Sequence, residues 1–84
     1  MNENNYLSLI DFQILELIET KNINYCLGLS YNLEVGYSRI HGILKDLVTK
    51  KILLKIEEQG KQIYYLSSRG KQIFKLFTKL DSLL

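Results

Sequence analysis

The stretch LEVGYSRIHGILKDL, Leu33–Leu47, decides how this chain folds. Within it Ile40, Ile43, Leu44 and Leu47 fall at i, i+3, i+4 and i+7, the spacing that aligns side chains on one stripe of a helix. Such a stripe faces a core. At about 100° per residue, the opposite side centres on Ser38, Gly42, Lys45 and Thr49, with Arg39 and His41 at its edges and Tyr37 at the helix start. No acid lies at the centre of that side.

Immediately upstream, Leu29, Leu33 and Val35 have the spacing that a first helix and a tight turn need if their inner face is to pack on Ile40 and Ile43. Three short segments then share one small core. This arrangement resembles the helix-turn-helix pattern, in which a small residue of the first helix, here Ser30, lets the second helix approach closely. The turn position where that pattern usually carries glycine holds Glu34, and Gly36, two residues on, is placed to supply an unusual backbone angle.

Further toward the N-terminus, MNENNY (residues 1–6) is polar and aperiodic and reads as a loose arm, with Tyr6 and Leu7 anchoring its end. Ser8 and Asp11 then form a capped start for a helix to about Thr20. Its inner stripe is Ile10, Ile14, Leu17 and Ile18, with Leu15 beside it. Phe12 lies off that stripe with Glu16 and Glu19; it is either a singly exposed aromatic or a contact to a partner subunit. Asn24 is the candidate cap of a second helix from about Tyr25 to Leu33, in which Gly28 costs about 1 kcal/mol relative to alanine.

Beyond the central stretch, Asp46 and Lys50 stand at i, i+4 in the favourable order, and the period changes at Ile52. Leu53–Glu57 and Gln62–Leu66 have strand character around the glycine turn in EEQGKQ, which predicts a β-hairpin. Ile63 and Tyr65 share one face of the second strand and Tyr64 and Leu66 the other, so one tyrosine belongs to the core and its neighbour is partly exposed. Ser67 caps a last helix through about Leu83. Its stripe of Ile73, Leu76, Phe77, Leu80, Leu83 and Leu84 opposes Lys71, Lys75 and Lys79. The far end, Phe77 to Leu84 with Phe74 at its edge, exceeds what so small a core needs. It reads as an association surface, the other reading being that it folds back on the first helix of its own chain.

Composition narrows the function classes. A chain of 84 residues sits near the lower end of what buries a self-sufficient core, which favours pairing with a second copy. No apolar run is long enough for a membrane span and no export signal is recognisable, so a cytoplasmic location is expected. Cys26 is the single cysteine and His41 the single histidine; they provide neither a disulfide nor a metal-ligand set, and no cofactor is expected. Nor do they form a catalytic constellation, so an enzyme is not expected. Residues 1–34 hold one lysine against five acids, whereas the remainder holds ten bases against four. A basic half carrying the central helix is the electrostatic footprint of a nucleic-acid binder.

The order helix, helix, helix, hairpin, helix is that of a winged helix-turn-helix: mainly α with a small β-hairpin. The run IHGILKDLVTKKILLK resembles the segment of MarR-type and PadR-type regulators in which the reading helix ends in a lysine-rich corner before the wing. YYLSSRGKQIF is similar to their closing wing strand and capped last helix, with Tyr65, Ser67 and Gly70 at the favoured positions. LSLIDFQIL resembles their first helix, so the likeness runs from Leu7 onward. It implies one winged-helix domain over residues 7–84 and a transcription regulator that binds double-stranded DNA as a homodimer. The reading helix, about 37–50, would enter the major groove and the wing, 53–66, follow the backbone. The size fits a minimal repressor of archaeal or viral type.

On that reading Arg39 reaches a guanine edge or a phosphate, the alternative being a surface ion pair. Tyr37 and Ser38 donate to phosphate or base, or else serve as a packed ring and a helix cap. His41 is a DNA contact or a solvated side chain. Gly42, costly in mid-helix, admits close approach of DNA or is a tolerated defect. Lys45 neutralises a phosphate, and Lys61 contacts phosphate or minor groove at the wing tip, where Glu57 and Glu58 restrict other contact; Lys50, Lys51 and Lys55 flank the helix. The dimer contacts would be Phe12, Phe74, Phe77, Leu80, Leu83 and Leu84, and two copies would require a palindromic site. Two other readings are a winged helix that binds protein and a sequence-indifferent architectural DNA binder.

Overall fold

The computed structural model describes residues 7–83. The arm expected at 1–6, Tyr6 included, and Leu84 of the association surface lie outside the described residues. Four helices and one hairpin follow in the order α1 (Leu9–Lys21), α2 (Cys26–Leu33), α3 (Tyr37–Thr49), β1 (Leu53–Glu58), β2 (Lys61–Leu66) and α4 (Ser68–Leu83). This is the winged-helix arrangement that the sequence order implied.

Capping starts α1 as expected. The Ser8 backbone N–H donates to Asp11 Oδ2 at 2.8 Å, its hydroxyl to the same oxygen at 3.2 Å, and the Asp11 N–H returns to the Ser8 carbonyl at 3.0 Å. These bonds let a carboxylate sit buried at the first turn. The inner stripe is shifted by one residue from the expected one: Leu15 is fully buried beside Ile14 and Ile18, and Leu17 only half-buried. Asn22 ends the helix in the left-handed region (φ 57°), which asparagine tolerates.

Asn24 does not cap α2; Tyr25 occupies that position. The Asn24 carbonyl instead accepts the Tyr64 N–H at 2.8 Å, on the side of β2 turned away from β1, and so ties the α1–α2 connection to the hairpin. Gly28 has a packing reason: a Cβ there would stand 2.7 Å from Cζ of Tyr25 and 3.0 Å from Cγ2 of Ile23.

The turn into α3 reverses one expectation. Glu34, not Gly36, takes the left-handed angle (φ 55°), while Gly36 has an ordinary φ of −55° and serves as N-cap of α3. Glu34 therefore bears the strain that a glycine at the turn position would avoid. Ser30 does more than leave space, since its hydroxyl donates to the Val35 carbonyl at 2.6 Å and fastens the turn to α2.

Helix α3 buries Ile40, Leu44 and Leu47 of the expected stripe completely and leaves Ile43 half-buried against the core. It closes through Ile52 N–H to the Leu47 carbonyl and Lys51 N–H to the Val48 carbonyl, both at 2.9 Å, with Lys51 left-handed at φ 63°. That is a Schellman ending with lysine where glycine is usual. In the antiparallel hairpin Leu53 faces Leu66, Lys55 faces Tyr64 and Glu58 faces Lys61. The strands run one residue further than expected, leaving Gln59 and Gly60, both at positive φ, as the two-residue turn suited to strand twist. Tyr64 is 2 % exposed and Tyr65 39 %, the division that the alternation required.

Ser67 caps α4: its hydroxyl accepts the Gly70 N–H at 3.0 Å and reaches the Lys51 carbonyl at 2.6 Å. A side chain at Gly70 would run into the Ile52 carbonyl, which gives the glycine after the cap its purpose. Among the described residues the core draws on α1, α2, α3, the corner at Ile52 and the inner face of the hairpin. Phe12, expected as either a singly exposed aromatic or a contact to a partner subunit, is half-buried and stacked on Phe77 of its own chain, with centroids 4.2 Å apart. Ile73 and Phe74 also pack on this core. The first part of the α4 stripe thus folds back, whereas Leu76, Leu80 and Leu83 stay 68, 60 and 76 % exposed.

Candidate nucleic-acid interface

The fully buried stripe of α3 fixes which side of the helix meets solvent. Tyr37, Ser38, Arg39, His41, Gly42, Lys45 and Thr49 are all exposed. Tyr37, 52 % exposed, is not a packed ring, and Ser38 is not a cap, because Gly36 takes that place. The rings of Tyr37 and His41, one turn apart, lie nearly parallel with centroids 6.3 Å apart, which aligns them along the helix edge. Among the described residues nothing stands within 4 Å of a Cβ built at Gly42, so none of them calls for glycine there. Asp46 pairs with Lys50 at 3.0 Å, so the acid of this helix is already partnered.

Two grooves meet along the His41 edge. The larger, about 700 Å3, opens between the N-terminal ends of α2 and α3 and the hairpin; Tyr25, Cys26, Tyr37, His41, Lys61 and Tyr64 contribute to its walls. The smaller, about 280 Å3, lies between α3 and the inner face of the hairpin, with His41, Lys45, Lys55 and Gln62 among its lining residues. Helix and wing therefore form one concave surface with His41 in its middle. Arg39, Ser38 and Gly42 line neither groove and form the outer crest of the helix. Lys61 sits beside the turn opposite Glu58, so charge at the wing tip is mixed.

Burial pushes the Cys26 thiol up from its ordinary value, and a side-chain hydrogen bond with Tyr37 only partly opposes this. Burial, then the proximity of Cys26 and Tyr37, raises the Tyr64 phenol as well. Both groups stay neutral near neutral pH and serve the groove as hydrogen-bonding and packing surfaces. Sequence reasoning had not assigned Tyr25 or Gln62 to this surface and had treated Lys55 only as a flanking charge. The missing signal was the hairpin register, which puts Lys55, Tyr64 and Gln62 on the face of buried Leu53 and Leu66, the face that leans on α3.

No described helix is long and apolar enough to cross a membrane. Neither a family model nor a curated protein matches the chain by sequence. The fold is similar to a crystal structure of a MepR mutant from a multidrug-resistant S. aureus clinical isolate. The TM-score is 0.69 at 15 % identity, with 100 % of this chain and 73 % of that one covered.

Proposed function

We propose that the chain is a sequence-specific double-stranded DNA-binding transcription regulator, a repressor, acting in the cytoplasm as a homodimer. The observation that carries this reading is the outer face of α3: solvent-exposed, basic, without an acid at its centre, and set beside a hairpin that continues its concave surface. The match to the winged-helix fold of MepR over the whole chain supports it, as does the resemblance of its sequence runs to those of MarR-type and PadR-type regulators. In this reading Tyr37, Ser38, Arg39, His41 and Gly42 meet the major groove, while Lys45 and Lys61 neutralise phosphates. The exposed Leu76, Leu80 and Leu83 of α4 support pairing of two copies, with Phe74 and Phe77 at the margin.

In-vitro selection from random duplexes tests the proposal. Two symmetry-related reading helices about 34 Å apart would select a palindrome whose half-sites lie one helical turn apart. Binding without a preferred site would favour an architectural protein. No binding to any duplex at low salt would transfer the exposed helix face to a protein partner.

A further inference from the structure

The smaller groove has a donor set of one kind. Lys45 and His41 come from α3, Lys55 and Gln62 from the hairpin, and no acid lines it. Among the described residues neither Lys45 nor Lys55 is in an ion pair, the acid of α3 being held by Lys50. The buried Tyr64 donates its hydroxyl to Gln62 Oε1 at 3.3 Å. That bond occupies the amide oxygen and leaves the Gln62 NH2 group to donate elsewhere. Thr49 adds no donor here, because its hydroxyl hydrogen is given to the Lys45 carbonyl at 3.0 Å.

Two ammonium groups and an amide donor around an open notch suit an anion, and at the angle between reading helix and wing the anion that duplex DNA offers is a backbone phosphodiester. We infer that the groove between α3 and the hairpin seats one DNA phosphate, with Lys45 and Lys55 supplying charge, Gln62 a hydrogen bond, and Tyr64 acting as the positioning residue for Gln62. The inference rests on the DNA-binding reading and sharpens it. The seat adds a contact toward the root of the wing to the one proposed for Lys61 at its tip; between them Glu57, across from Gln62 on the same face, limits approach of the backbone.

The test uses the selected duplex with a single uncharged methylphosphonate placed at each backbone position in turn. Affinity and its salt dependence are measured for wild type, Lys55→Ala, Gln62→Ala, Tyr64→Phe and Lys75→Ala. Neutralising one position per half-site should weaken wild type more than Lys55→Ala, in which Lys45 still faces the phosphate, and the salt slope of Lys55→Ala on the unmodified duplex should fall by up to about 0.9 per half-site. Gln62→Ala and Tyr64→Phe should blunt the effect of neutralisation at that same position, whereas Lys75→Ala, on exposed α4, should behave as wild type. If the losses from Lys55→Ala and from neutralisation multiply at every position, or the slope is unchanged, the phosphate seat is refuted. In that case continued sequence discrimination by wild type leaves the DNA-binding reading standing. Failure of wild type to bind any duplex refutes both.

Discussion

The ring of Phe12 on α1 lies against that of Phe77 on α4, centroids 4.2 Å apart and planes 10° from parallel. This stack divides the last helix. Ile73, Phe74 and Phe77 are committed to their own chain, and Leu76, Leu80 and Leu83 are left facing outward. Phe12→Ala should therefore destabilise the fold by about 1–3 kcal/mol in denaturant titration, less than a fully buried phenylalanine costs. Leu80→Lys should instead leave helix content intact and shift the sedimentation coefficient toward the monomer; an unchanged coefficient would remove α4 as the pairing surface.

Glycine 42 and glycine 70 should respond oppositely to alanine. At Gly70 the added methyl meets the Ile52 carbonyl, and a loss of about 2 kcal/mol or more is expected in thermal or chemical unfolding. At Gly42 it meets nothing, and helix propensity should raise stability by up to about 1 kcal/mol. If DNA approaches the backbone there, the more stable Gly42→Ala protein binds its selected duplex more weakly.

Relief of the turn is also measurable. Glu34→Gly removes the strain of a left-handed side chain but enlarges the freedom of the unfolded chain, for a net gain of about 0.5–1 kcal/mol. Duplex affinity should not change, since residue 34 lies on the connection and not on the outer face of α3.

For Cys26 the sign of the pH dependence follows from burial. Its folded-state pKa lies above the ordinary thiol value of 9.0, so the neutral thiol favours the folded state. That contribution is fully present below pH 9.0 and is lost as pH rises through the folded value. Alkylation by iodoacetamide at pH 7.5 should be slow in the native protein and accelerate on unfolding. Cys26→Ala should reduce the decline of stability in the alkaline range.

What could be read from sequence was what local chemistry dictates. The spacing of Ile40, Leu44 and Leu47 fixes the buried side of α3, and Ser8 with Asp11 and Ser67 with Gly70 carry their caps within four residues. Glu34 and Lys51 were illegible as left-handed residues, because packing forces that conformation on side chains that do not prefer it. Asn24 was misread since its decisive bond is to Tyr64, forty positions away. Likewise Phe12 looked exposed by its helix position, and only the return of α4 supplies its partner. The outer crest of α3 followed from periodicity alone; the groove wall formed by Lys55 and Gln62 required the register of the hairpin against α3.

Arg39 distinguishes reading from mere attraction. Arg39→Ala should cost about 1–3 kcal/mol on the selected site and relax preference at one base position. An equal loss on every sequence would make it a backbone contact.

Amide chemical shifts followed while duplex DNA is added to isotopically labelled protein ask where the nucleic acid lies. Perturbations concentrated on residues 37–45 of α3 and on the inner face of the hairpin are expected. Shifts confined to α4, or none at saturating duplex, would contradict a DNA-binding role for the exposed face of α3.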